Sequence, residues 1–301
     1  MPRPEEVVDV DLLTVGEAFQ DLIFVGLPHL PRAGEEVKTA RFVATIGGGA
    51  VITAVAAARL GLRTAVISGL SQDAARLLRR EKVGVVNLKR SAEAPAVTVS
   101  LSTPRDRSFV TFNGVNDRLE SRFPAAIARR RAAHVHFALA PRHCDRWVRI
   151  VGGLRGRGVT TSWDFGWNSS LRNTPGFDRL VGSVDFVFVN EAEATMYAGT
   201  RRAAAVAYWR RSAHNTIIKL GRRGSRWIAG APTPVDLTVP APRVRAVETT
   251  GAGDAFNGGF LFALLGGRPP RECLRIGNVV GARSTLAAGG VAALPRRHER
   301  L

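Results

Sequence analysis

The sequence predicts an α/β fold built on a mostly parallel sheet, and three observations carry the prediction. Short apolar runs alternate with helix-length segments along most of the chain, the rhythm of βαβ units. The first apolar run, residues 10–16, is interrupted only by Asp11 and ends in Gly16, as a strand covered on both faces does. The 301 residues are 45% hydrophobic and 23% charged, enough apolar material for the core of one large domain.

Taken in order, the pattern predicts helix 54–60 before strand 64–67, helix 124–131 before strand 135–139, and helix 144–155 before strand 159–163. Helix 177–181 then leads to strand 184–189, and helix 203–211 to strand 216–220. Two segments break the rhythm: 36–45 and 96–112 alternate or are β-branched, with no helix following. Pro104-Arg105-Asp106 reads as a hairpin turn between strands 97–101 and 108–112. Residues 18–45 and 96–113 are therefore expected to form a small accessory sheet. Such a sheet beside an α/β core serves as a lid that excludes water, and equally as an edge elaboration or a homodimer surface. With no internal repeat and no long linker, residues 1–301 read as a single domain.

Charge and composition bound the partners. Lysine plus arginine total 43 against 25 acidic residues, a net charge of +18, which raises nucleic acid and anionic small molecules as partners. Only Lys38, Lys82, Lys89 and Lys219 are lysines, so the bias is one for arginine and follows codon composition as readily as function. The arginines are dispersed and no stacking-aromatic motif accompanies them, which argues against nucleic acid. Cys144 and Cys273 sit in no metal-ligand or disulfide pattern. Residues 1–11 carry four carboxylates and no apolar segment, unlike a secretory signal, and a cytoplasmic protein is expected. The uncharged run 42–58 is interrupted by Gly47-Gly48-Gly49 and reads as strand, turn and helix rather than a membrane span.

Three clusters carry chemistry. In Glu248-Thr249-Thr250-Gly251-Ala252-Gly253-Asp254, small residues precede an apolar helix, which leaves unpaired N–H groups at its positive end. Asp254 is placed to take a proton from a hydroxyl while the amides of Gly251, Ala252 and Gly253 stabilise a transferring phosphoryl group; an acidic first turn alone explains the same letters. Asn190-Glu191-Ala192-Glu193 follows a strand, where open α/β sheets bind ligands. Asn190 there suits a phosphate oxygen and Glu193 a hydrated Mg²⁺, or the pair is simply a helix cap. Lys219-Leu220-Gly221-Arg222-Arg223-Gly224 offers close backbone approach and basic charge to a nucleotide. No GxxxxGK[ST] motif occurs in the sequence and no GxGxxG follows the first strand, so neither a P-loop NTPase nor a classical dinucleotide binder is supported.

In this order the clusters resemble the PfkB (ribokinase-like) carbohydrate kinase family, from about residue 15 to 295. Gly47-Gly48 with Ala57-Ala58-Arg59-Leu60-Gly61 resembles its N-terminal signature, and Thr249 to Asp254 its C-terminal one. The resemblance implies a three-layer sandwich with a β-sheet lid, and an ATP-dependent, Mg²⁺-requiring kinase acting on a sugar or nucleoside. It makes Asp254 the catalytic base, Gly251, Ala252 and Gly253 the anion hole, and Asn190 with Glu193 the phosphate and metal organisers. Lys219, Gly221, Gly224 and Asn278 fall on the ATP side; Asp21, Gly47, Gly48 and Ile52 fall on the acceptor side. Relatives bind K⁺ through an Asp two residues before a threonine and through a later loop; here Glu248 precedes Thr250, and the loop lies within 284–290.

Departures concern the acceptor. Ile52 stands where the family has an Asn for sugar hydroxyls, no glutamate occurs in the strand His136-Phe137-Ala138-Leu139-Ala140, and the glycine turn after Asp73 reads Ala74-Ala75. These weigh against ribose itself and keep a non-catalytic sugar- or nucleotide-binding relative as an alternative. His134 and His136 are expected to be structural. Asp164 is placed at the cleft by position, and Arg107 on the accessory hairpin is expected to meet an anionic group of substrate or nucleotide.

Overall fold

The computed structural model describes residues 9–103 and 107–299. The predicted turn Pro104-Arg105-Asp106 and most of the acidic segment 1–11 lie outside the described residues. A nine-stranded sheet contains β1 (Asp9–Gly16), β4 (Thr64–Ser68), β5 (Val83–Asn87), β8 (Arg131–Ala138), β9 (Thr160–Asp164), β10 (Phe186–Asn190), β11 (Asn215–Lys219), β12 (Ser225–Ala229) and β13 (Val235–Val239). Their order is β13-β12-β11-β10-β9-β8-β1-β4-β5, and every pairing is parallel except those of β12 with β11 and β13.

Helices α1 (Gly49–Leu60), α2 (Gln72–Arg80), α9 (Ala252–Leu265) and α10 (Pro270–Ser284) cover one face. The other is covered by α3 (Asn116–Leu119), α4 (Phe123–Ala128), α5 (Cys144–Arg155), α6 (Phe177–Ser183), α7 (Glu191–Ala198) and α8 (Arg202–Ser212). Each face has its own core, one gathered around Trp147, Trp163 and Tyr197, the other around Phe188, Phe260 and α1. This three-layer ribokinase-like arrangement follows from strands that are apolar on both sides: every residue of β4 is buried.

A second sheet contains β2 (Phe19–Val25), β3 (Arg41–Gly47), β6 (Val97–Ser102) and β7 (Arg107–Phe112), ordered β3-β2-β6-β7. Register places Asp21, Thr45, Thr98, Ser100, Arg107 and Thr111 on one face, together with Ile23, Val25, Val43 and Phe109. The other face carries Leu22, Phe24, Phe42, Val99, Leu101, Val110 and Phe112, of which Phe42, Val110 and Phe112 are exposed.

Several boundaries differ from expectation for local reasons. The expected helix 124–131 stops at Ala128, and Arg131 already pairs with Asp9 at the start of β8. Ala74-Ala75 is no turn: Ser71 caps α2 by accepting from the Ala74 N–H at 3.1 Å, and both alanines are helical. Of segment 36–45 only the part from Arg41 is strand. The apolar run 42–58 is strand, turn and helix as expected, and no helix among the described residues is long and apolar enough to cross a membrane.

Candidate active site

The carboxyl ends of the parallel strands supply most of the polar groups. Asp164, Asn190 and Lys219 are the last residues of the adjacent strands β9, β10 and β11, with Asn190 directly beside Lys219. Side chains at such strand ends face the crevice in which open sheets bind ligands. Across the crevice stands the N-terminus of α9, reached through Gly251 at φ 75°. A left-handed residue there lets the chain enter the helix with its amides pointing outward. Among the described residues no acceptor is bonded to the Gly251 or Gly253 N–H, whereas the Ala252 N–H is directed back to the Thr249 carbonyl at 3.3 Å.

Asp254 sits in the first turn of α9 and faces the N-terminus of α1. A Cβ placed on Gly49 would lie 3.0 Å from Asp254 Oδ1, so two helix N-termini converge on this carboxyl. Its backbone carbonyl accepts from Thr53 Oγ1 at 3.1 Å, tying α9 to α1. The side chain keeps partial exposure to the cleft. Removal of water pushes its pKa up to about 7, the negative charges of Asp164, Glu193 and Asp21 add to that, and Lys219 opposes it.

The Lys219 ammonium is turned inward. It donates to Asp164 Oδ2 at 2.6 Å and lies 3.1 Å from where a Cβ on Gly253 would be, so a positive charge underlies the α9 turn. Burial alone would raise Asp164, but Lys219 and a 2.8 Å hydrogen bond from Asn257 Nδ2 hold it below the usual carboxylate range. Burial also favours the neutral amine at Lys219; the charges of Asp164, Glu193 and Asp254 outweigh it and raise its pKa. Asn257 was missed in the sequence, although it lies three residues after Asp254 on the same helix face.

Asn190 and Glu193 form a reciprocal capping box on α7: Asn190 Oδ1 accepts from the Glu193 N–H at 2.8 Å, and Glu193 Oε2 from the Asn190 N–H at 2.7 Å. The helix-cap reading of these letters is therefore realised, and it leaves Glu193 buried with its pKa raised by lost hydration and by Asp164. Gly221 is open on its Cα side, while Gly224 has φ 102° and no room, since a Cβ would meet the Val239 carbonyl at 2.0 Å. Asn278 is buried and donates to the Val239 and Pro240 carbonyls at 3.0 and 3.3 Å, binding α10 to the end of β13.

In the region expected to face the acceptor, the Asp21 carboxylate crosses the face of Gly47, where any Cβ would lie 1.9 Å from Oδ2. Burial, with the charge of Glu248, pushes Asp21 up to about 7. Gly48 turns at φ 101° into α1. Ile52 is buried with its δ-methyl against Gly251 and Gly290, and so forms the floor of the α9 turn. Arg107 pairs with Glu248 and donates to Thr250 Oγ1 at 2.9 Å, so the protein's own groups already engage its guanidinium.

His134 and His136 are structural, as expected. Both are buried and joined through Ser162 Oγ at 2.8 Å each, and burial pushes them down to about 3 and about 4, which keeps the rings neutral. A separate cavity of about 910 Å³ lies behind α7 and α8, lined by Glu191, Arg223, Arg226 and Asp236, away from Asp254. This cavity thus does not coincide with the converging helix termini and the perturbed carboxyls.

Known proteins are similar to this chain in sequence and in fold. The acarbose 7(IV)-phosphotransferase of an Actinoplanes species is 31% identical over 204 residues, 66% of this chain and 65% of that protein. The adenosine kinase of Sinorhizobium meliloti superposes with a TM-score of 0.78 at 23% identity, over 93% of this chain and 95% of that one. The ribokinase of Arabidopsis thaliana, solved with ribose and ATP, gives 0.75 at 24% identity, over 96% and 97%. The pfkB family carbohydrate kinase model matches residues 10–297, nearly the whole chain, and the chain belongs to that family.

Proposed function

We propose that this protein transfers the γ-phosphoryl group of ATP to a hydroxyl of a sugar or nucleoside, with Asp254 as general base and the Gly251 to Gly253 turn, through the amides of Gly251 and Gly253, as anion hole. Family membership makes it a phosphotransferase with an alcohol acceptor. The observation that carries the finer reading is the seat of Asp254: partly exposed, at the meeting of two helix N-termini, with a pKa pushed up to about 7. A base poised near neutrality is ionised when needed and still accepts a proton readily.

The acceptor oxygen bonds to the γ-phosphorus, its proton passes to the Asp254 carboxylate, and the bond to the bridging oxygen breaks to release ADP. The free N–H groups of Gly251 and Gly253, with the Lys219 ammonium behind them, oppose the charge spreading over the phosphoryl oxygens. Asp21 accepts acceptor hydroxyls beside Gly47 and Gly48, while Asn190, Gly221, Gly224 and Asn278 frame the nucleotide. Among the described residues no cluster of three or more His, Cys, Asp or Glu could hold a metal ion. A Mg²⁺ ion at this site would therefore be carried largely by its own waters and by substrate phosphates, with the buried Glu193 holding it through water, and bound there it would neutralise phosphate charge.

The second sheet acts as the lid, its polar face with Asp21 turned to the cleft. Its apolar outer face, with Phe42, Val110 and Phe112 exposed, supports a homodimer through the lid. Sedimentation velocity is expected to give the mass of a dimer, and Phe112→Asp that of a monomer; a wild-type monomer at micromolar concentration removes this part. The reading places the protein in the cytoplasm, where ATP is supplied and the buried thiols Cys144 and Cys273 stay free.

The function is tested by presenting ATP, Mg²⁺ and a panel of sugars and nucleosides and following ADP release, with products identified by mass. Phosphorylation of a compound in one of these classes is expected. A panel yielding no phosphorylated product would instead favour a binding protein of the same fold.

A further inference from the structure

Arg107 opens β7 on the lid face that carries Asp21, yet its guanidinium ends on the segment leading into α9. It pairs with the Glu248 carboxylate, donates to Thr250 Oγ1 at 2.9 Å and lies over the Phe109 ring at 5.9 Å. Glu248 Oε1 also accepts from the Thr250 N–H at 2.6 Å, and the Glu248 N–H donates to the Thr285 carbonyl at 3.1 Å. The Glu248 side chain is 4% exposed, and among the described residues its Oε2 has no hydrogen-bond partner. A carboxylate so enclosed is costly unless a cation compensates it.

This is the segment on which the family resemblance implies K⁺, held between residue 248 and the loop within 284–290. The residues here do not fit that ion: the Arg107 guanidinium already stands on both Glu248 Oε1 and Thr250 Oγ1, and a second cation on the buried Oε2 of the same carboxylate would be repelled by it. We infer that Arg107 is a built-in cation. It supplies to Glu248 and Thr250 the positive charge for which a monovalent ion would otherwise be needed, and so positions the Thr249 to Gly253 turn. Because Arg107 comes from the lid, the turn adopts its anion-binding form when the lid is closed, and catalysis needs no K⁺.

The inference rests on the kinase reading for its activity readout, so its test also has a readout independent of turnover. Wild-type phosphorylation rates in potassium and in tetramethylammonium buffer are expected to agree within about twofold, and the melting temperature to be indifferent to the same exchange. Arg107→Met is expected to lower kcat by about 100-fold, the scale of losing one preorganised electrostatic contact. It is also expected to gain a K⁺- or guanidinium-dependent rise in both melting temperature and rate, with Arg107→Lys intermediate. Should Arg107→Met fail to fold, Arg107→Lys and the wild-type cation exchange carry the test. A wild type that loses most of its rate or several degrees of melting temperature without K⁺ overturns the inference. So does an Arg107→Met protein with unaltered kcat and no cation response. A wild type with no acceptor at all bears on the kinase reading, while the melting experiment still decides the cation.

Discussion

Asp254→Asn is expected to lower kcat by about 10²–10⁴-fold, the range a positioned general base contributes, while nucleotide affinity measured by calorimetry stays within a few-fold. Asn preserves the volume of the side chain, and the bond from Thr53 Oγ1 goes to the backbone carbonyl of residue 254, so the junction of α1 and α9 is untouched. What is lost is the acceptor for the hydroxyl proton. Turnover within a few-fold of wild type would refute the assignment.

The same carboxyl sets the pH dependence. A base with a pKa raised to about 7 must lose its proton to act, so kcat/KM is expected to fall as the pH drops below about 7. A limb near 4, the ordinary carboxylate position, would contradict the burial and charge described. Asp21 is also pushed up to about 7, and Asp21→Asn separates the two: a limb that survives in that variant belongs to Asp254. Stability runs the other way. Both groups bind protons in the folded state where the unfolded chain has released them, so their stabilisation is complete below about pH 4 and is lost as the pH rises through about 7.

The second large effect is on the fold. Asp164→Ala removes the partner of Lys219 and the acceptor of Asn257, and is expected to destabilise the protein by about 3–5 kcal/mol in denaturant unfolding. The cost arises because an ammonium with 13% side-chain exposure loses the carboxylate it is hydrogen-bonded to and keeps only the more distant charges of Glu193 and Asp254. The double variant Asp164→Leu with Lys219→Met replaces both charges with apolar groups and is expected to recover most of that stability. It should not recover kcat, because the positive charge beside Gly253 is gone. If Asp164→Ala loses less than about 1 kcal/mol, the pair is solvated rather than buried, and its assigned role fails.

The elements written most plainly in the sequence are those whose letters repeat over several residues. Helix 144–155 was legible to its ends, and the strand-turn-helix reading of 42–58 held because glycine separates a partly exposed strand of the small sheet from a helix that packing buries along most of its length. The short antiparallel strands β12 and β13 were not anticipated: five residues give periodicity little room, and β13 is held by its partner rather than by its own composition. The C-terminal cluster was legible because an anion site at a helix end needs small residues and an acid within one turn, all local in sequence.

Pairings between distant segments were not legible. Lys219 reads as a nucleotide-loop cation, yet Asp164, 55 positions away, holds its amine inward. Arg107 reads as a ligand for substrate anions, and the protein's own Glu248, 141 positions away, takes it. Asn190 and Glu193 read as ligand residues, and a capping box occupies them as well. The sequence by itself determined the layered α/β fold and the glycine-lined helix terminus, because apolar periodicity and backbone freedom act over a few residues. Only the tertiary structure decided which charges meet. Coulomb attraction and loss of water depend on distance in space, and nothing in the order of residues states how far apart the lid, the strand ends and the α9 turn finally lie.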